Sequence, residues 1–192
     1  MRLRYIVVFV CSVLIVMSCT SSKDIISSQA FKNTDALILQ QNFIIDSDMA
    51  YPVASSGLQS LSNTNLILQG STVNQFNLIG NDNHFKVIGD SISVYLPYYG
   101  EQQMGGLPYN NNNVSIQFDG IPNSFEISDV DTKGVRVLKF NFRNAMESYK
   151  ARIQIYPRGT ASIMINSSHR TPIRYRGIVK AIETKEEGVA SN

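Results

Sequence analysis

Between Leu138 and Lys180 the chain alternates apolar and polar residues four times in succession, and little except an antiparallel sheet satisfies that pattern. Leu138, Phe140 and Phe142 face one way, with Lys139, Asn141 and Arg143 facing the other. Tyr149, Ala151, Ile153 and Ile155 then oppose Lys150, Arg152 and Gln154. Ala161, Ile163 and Ile165 follow, and Ile173, Tyr175, Gly177 and Val179 oppose Arg174, Arg176 and Lys180. A period of two sends successive side chains to opposite faces, so each stretch has one dry and one wet side. Tight turns join the stretches, which makes neighbours in sequence neighbours in the sheet. The prediction is a meander with an apolar inner face and a basic outer one.

Upstream, short apolar runs separated by Asn, Gly, Asp and Pro predict further strands over Asn42 to Met49, Asn65 to Leu68, Val73 to Ile79, His84 to Ile88, Ser91 to Tyr98, Asn113 to Asp119 and Ser124 to Val130. Gly89-Asp90 suits a two-residue hairpin whose first residue takes positive φ. Lys23 to about Gln40 has helical spacing, with Asn33-Thr34-Asp35 read as a second cap inside it. Ala54 to Thr64, rich in Ser, reads as a loop. So many strands must bury one face and protect their edges, either by closing into an up-and-down barrel or by folding into a sandwich. Period alone does not choose; the short connections favour the barrel, with the helix covering an end or flank. Ser91-Ile-Ser-Val-Tyr-Leu-Pro-Tyr-Tyr-Gly100 is the strand that breaks this rhythm. It ends in an aromatic corner and delivers the chain to a loop running from Glu101 to Asn113.

The first eighteen residues stand apart. Arg2 and Arg4 precede the apolar run Tyr5 to Met17, which is too short to span a bilayer and reads as an export signal. Val16-Met-Ser-Cys19 before a polar run resembles the bacterial lipobox, which implies that Cys19 becomes the acylated first residue of the mature protein. The chain then divides into a signal over 1–18, a tether over 19–22, one domain over 23–182 and a charged tail over 183–192. Cys11 lies in the leader, so the remaining chain has no disulfide partner to offer. Charge is segregated: Lys23 to Thr132 holds three lysines against eleven carboxylates, whereas Lys133 to Lys180 holds eleven basic residues and only Glu147 against them.

Family resemblance enters through several of these stretches together. The leader, a helix running into Asn42-Phe43-Ile44-Ile45, the pattern F-x-V-x-G-D-S-I-x-x-Y-L-P-Y-Y-G from Phe85 to Gly100, Gly159-Thr-Ala-Ser-Ile-Met-Ile, and Arg170-x-x-Ile173-x-Tyr175-x-Gly177 resemble the Bacteroidetes lipoproteins grouped as domain-of-unknown-function family 4251. The resemblance implies a lipocalin-like β-barrel and an outer-membrane lipoprotein. It implies no activity. Separately, Thr20-Ser-Ser-Lys-Asp24 offers one acid where a surface-export signal resembles an acidic run, which favours the periplasmic side, with the cell surface as the alternative.

Chemistry is sparse. His84 and His169 both sit at turns with no metal-ligand spacing, so neither a metal nor a cofactor is expected. No nucleophile elbow or related catalytic motif occurs, and an enzyme is not the expectation. Asp46 with Asp48 and Asp129 with Asp131 are paired carboxylates at strand ends, where such residues usually form turns; an envelope hydrolase working through Asp129 and Asp131 is the alternative they leave open. Two features suit binding. Tyr95, Tyr98, Tyr99 and Tyr109 surround the long loop at the expected barrel mouth, where rings and hydroxyls serve sugars or apolar ligands; the plainer reading is that they plug the mouth. Lys139, Arg143, Lys150, Arg152, Arg174, Arg176 and Lys180 share the outer face, which suits anionic glycans, lipid phosphates or an acidic protein; the plainer reading is a solvated sheet. The functional expectation is a non-enzymatic envelope lipoprotein attached to the membrane through Cys19, using Arg174 and Arg176 or the tyrosines for a glycan, lipid or protein partner, with no nucleic-acid motif. A structural accessory to an outer-membrane protein is a further alternative.

Overall fold

The computed structural model describes residues 29–61, 70–103, 115–144 and 147–182. Helix α1 spans Gln29–Leu39 and runs directly into strand β1, Asn42–Pro52; a second helix, α2, covers Ser56–Leu61. The remaining strands are β2 (Phe76–Asn77), β3 (His84–Ile88), β4 (Ser91–Pro97), β5 (Ser115–Gly120), β6 (Ser124–Ile127), β7 (Arg136–Arg143), β8 (Ser148–Ile155), β9 (Thr160–Ser167) and β10 (Ile173–Ala181). All the pairings are antiparallel, in the order β5-β4-β3-β1-β10-β9-β8-β7-β6, with β2 on the edge of β1. The expected mainly-β meander with an N-terminal helix is therefore what the chain forms: a ten-stranded sheet curled into a half-barrel. Its first and last strands, β1 and β10, meet from Phe43↔Ala181 to Pro52↔Ile173.

Curling brings the apolar faces together. Phe43, Phe85, Leu96, Leu138, Phe140, Phe142, Tyr149, Ile153 and Tyr175 are each at most 1 % exposed, so the interior is filled by the protein's own side chains. Phe85 and Phe125 both pack on Phe140, with ring centroids 5.1 and 4.4 Å away, and Phe118 reaches Phe142 at 4.9 Å. The Phe85–Phe140 and Phe118–Phe142 contacts join strands far apart in the order, which is how a curled sheet buries a face that a flat sheet would expose, whereas Phe125 and Phe140 are cross-strand partners on β6 and β7. Each such side chain contributes about 1.5–3 kcal/mol by leaving water.

Helix α1 covers one end of the half-barrel. Phe31 and Ile38 are its buried residues. Asp35 takes Nε and Nη2 of Arg136 at 2.7 and 3.0 Å, while Nη1 donates to the carbonyl of Ser128 at 2.6 Å, tying the helix to the β6–β7 turn. The second cap expected at Asn33-Thr34-Asp35 does not form. Asn33 accepts from Gln29, Thr34 donates back to the Ala30 carbonyl one turn earlier and Asp35 is engaged by Arg136, so all three side chains are committed elsewhere and the helix runs through unbroken.

Two other expectations are corrected. Ala54 to Thr64 contains α2 rather than only a loop: Ser55 Oγ accepts from the Leu58 amide at 3.2 Å, an N-cap, and Leu58 buries itself in the core. Val73 to Ile79 yields only the two residues of β2, because the Asn77 side chain turns back to accept from the Ile79 amide at 3.0 Å. The strand expected over Asn65 to Leu68 lies outside the described residues. Gly89 takes φ +54° at the β3–β4 hairpin, as its turn requires.

Candidate functional site

The end of the half-barrel opposite α1 carries the aromatic corner. The Tyr98 hydroxyl lies 2.9 Å from the Thr171 carbonyl, 3.0 Å from that of Glu101 and 2.8 Å from Thr171 Oγ1, and the Arg170 guanidinium sits 5.0 Å from its ring. Gly100 is required here, since a Cβ would collide with the Tyr98 hydroxyl and Thr171. Tyr99 stacks on Phe76 at 4.2 Å, nearly parallel. Below them Glu147 and Arg170, 2 and 5 % exposed, form an ion pair at 3.1 Å. The Tyr149 hydroxyl donates to Glu147 Oε2 at 2.6 Å and Ser167 donates to Oε1, while the Tyr175 hydroxyl donates to the Pro97 carbonyl at 2.8 Å. Burial raises the phenol pKa of Tyr98, Tyr99, Tyr149 and Tyr175, with the Glu147 carboxylate adding to the shift at Tyr149. Tyr98 thus spends its hydroxyl on the protein itself, while Tyr99 is half-buried with its ring on Phe76. Tyr109, like Cys19, lies outside the described residues.

The basic face is where the alternation put it, but it is not uniformly free. Arg176 is held by both oxygens of Asp48 at 3.1 and 3.0 Å, which raises its pKa, and Lys180 meets Asp46 at 2.8 Å. These pairs are half exposed and add little stability, yet they cancel the charge of β10's second half. Lys139 pairs with Glu126 at 3.1 Å. Register then places Lys139, Arg152, Met164, Arg174 and Tyr51 in one row across β7, β8, β9, β10 and β1. Arg174 lies 4.7 Å from the centroid of the Tyr51 ring. Among the described residues, Arg143, Lys150, Arg152 and Arg174 are exposed without a carboxylate partner. Two strand spacings, about 10 Å, separate Arg152 from Arg174, with the exposed Met164 between.

A third feature escaped the sequence. Pairing between β1 and β3 stops at Ile45↔Phe85, and β1 bulges between Ser47 and Met49. There the buried Asn83 side chain stands in for a strand: Oδ1 accepts from the Ser47 amide at 2.9 Å and Nδ2 donates to the Ser47 carbonyl at 3.0 Å. The 78–83 segment consequently stands off the sheet and walls a groove of about 840 Å³ on the outer face. Ile44, Asp46, Ile178 and Lys180 line it from the sheet, Ile79, Asn81 and Asp82 from the segment, and His84 and Tyr95 from β3 and β4. Among the described tyrosines of the predicted set, Tyr95 is the one that faces outward at this groove, 38 % exposed, with its ring centroid 6.3 Å from that of His84. His84 is half-buried rather than solvated; its Nε2 meets Ser93 Oγ at 3.0 Å, and desolvation, reinforced by Lys86, lowers its pKa. The signal for the bulge was the slip of the buried positions from Phe43 and Ile45 to Ala50 and Pro52.

The other carboxylates do not converge. Asp131 Oδ1 accepts from the amides of Lys133 and Val135 at 2.8 Å each, a turn former, and Asp129 is exposed beside it. Among the described residues no group of three or more His, Cys, Asp or Glu is placed to hold a metal ion. No helix among them is long and apolar enough to cross a membrane.

Fold and surface together define a curled antiparallel half-barrel whose inner face is packed with its own side chains. Residues 26–179 match the domain of unknown function DUF4251, and the chain belongs to that family. A DUF4251 family protein from Bacteroides eggerthii, solved by crystallography at 1.95 Å resolution, is similar in fold, with a TM-score of 0.51 and 13 % sequence identity over 79 % of this chain and 87 % of that one. No curated protein matches.

Proposed function

We propose that this chain is a non-enzymatic lipoprotein of the cell envelope, acylated at Cys19 and held on the periplasmic side of the outer membrane, that binds an anionic envelope glycan on the outer face of β7 to β10. The observation that carries this reading is the row Arg152, Met164 and Arg174, flanked by Lys150 and Arg143, whose four cations have no carboxylate among the described residues. Arginines two strand spacings, about 10 Å, apart on a rigid sheet suit phosphates or carboxylates spaced along a polymer. Arg176, expected to share the role, is clamped by Asp48 and contributes less. The leader and Cys19 support attachment, because several acyl chains together anchor stably.

The test uses soluble protein beginning at Thr20 and immobilised, phosphorylated lipopolysaccharide, with neutral dextran as control. Binding is expected to the first only and to weaken with added salt, and Arg152→Glu with Arg174→Glu should reduce it at least tenfold, about 1.4 kcal/mol. Undiminished binding by the double variant would end the proposal. Replacing Cys19 with Ala should abolish incorporation of a labelled fatty acid.

A further inference from the structure

The groove beside the β1 bulge has a chemistry of its own, separate from the basic face. We propose that it is a binding site for a short, uncharged sugar. Three observations lead there. First, the main-chain groups at the bulge are already used: Asn83 takes both Ser47 groups, and the Leu78 amide donates to the Asp48 carbonyl at 2.9 Å. A peptide adding itself as a strand would find no ladder to join, so recognition falls to side chains.

Second, the charges nearly cancel. Asp46 is paired with Lys180 and Asp48 with Arg176, leaving exposed Asp82 as the one groove carboxylate without an ion-pair partner among the described residues. That single rim charge repels an anion and is too solvated to hold a cation strongly. A neutral ligand fits the balance. Third, the free groups are those that recognise a polyhydroxylated ring. Tyr95 offers a partly exposed ring and a hydroxyl without a hydrogen-bond partner among the described residues, His84 stands next to it, Asn81 and Asp82 supply amide and carboxylate atoms from the segment, and Ile44, Ile79 and Ile178 add apolar surface. A volume of about 840 Å³ lies in the range of small-molecule sites, with room for more than one sugar ring.

Isothermal titration of the full chain, held in a detergent with no sugar headgroup, would use maltotriose, cellotriose and N,N′-diacetylchitobiose as probes. Saturable binding to at least one is expected, with a Kd on the order of 1 mM. Tyr95→Ala should weaken it at least tenfold, Tyr95→Phe should retain it within about threefold, and Asp82→Ala should weaken it measurably. Both positions are exposed, so the fold survives, and circular dichroism checks that it has. Arg174→Glu should leave sugar binding unchanged, which separates this site from the one proposed on the basic face. No saturable heat from any of the three sugars overturns the inference; so does binding that persists in Tyr95→Ala or is lost in Arg174→Glu.

Discussion

Glu147 is the only carboxylate in the basic second half of the domain, and it is also among the most deeply buried. An isolated buried charge is costly, and Glu147 is tolerable because Arg170 neutralises it while Tyr149 and Ser167 donate to its two oxygens. Removing one member leaves the others stranded. Glu147→Gln should lower stability by about 3–5 kcal/mol, while adding Arg170→Met should recover part of the loss by removing the uncompensated cation. Urea unfolding of the two variants checks this; equal midpoints for both and for the native protein would show that the cluster holds nothing together. The sequence marked Glu147 by its isolation among eleven basic residues but gave no hint of its depth, because a partner 23 positions away is set by how two turns meet. Tyr98 shows the same limit. The Pro97 and Gly100 punctuation announced a corner, yet whether the hydroxyl met water or the Thr171 carbonyl depended on the far end of the sheet.

At the scale of elements, the legible parts are those whose period is local. Strands β7 to β10 were read with their faces correct because each alternates cleanly from end to end. Strand β1 was harder, since its inward set changes phase at the bulge, and β2 nearly vanished because Asn77 and Asn83 use side chains where a strand would use backbone. The Gly80-Asn-Asp-Asn83 turn was visible as a turn, but not as the wall of a groove. Asn83 is the hinge of that arrangement. It is 6 % exposed and satisfies a buried amide and carbonyl that have no strand opposite them. Asn83→Ala should cost about 2–4 kcal/mol, since two buried backbone groups lose their partners at once. It should also speed hydrogen exchange at the Ser47 amide far more than at Phe43 or Ile45, which keep β3 as a partner. Uniform exchange along β1 in the variant would mean that Asn83 does not close the bulge.

Helix α1 covers one end of the half-barrel and buried phenols pack at the other, and that second end has a pH dependence. Tyr98, Tyr99, Tyr149 and Tyr175 all have folded pKa values above the ordinary 10.0, because burial disfavours the phenolate. In the unfolded chain the same groups ionise near 10.0. Below that pH both states hold the protons and the contribution is fully present. As pH rises through it, the unfolded chain releases protons that the folded chain keeps, and stability falls. Denaturation midpoints should therefore be nearly flat from about pH 7 to 9 and decline steeply by about pH 11. Tyr149→Phe removes a buried phenol that donates to Glu147 while keeping the ring against Phe142, so its alkaline decline should be shallower than that of the native protein even if its midpoint at neutral pH is lower. A native protein equally stable at both ends of that range would mean that water reaches these hydroxyls, and that the end of the half-barrel is open after all.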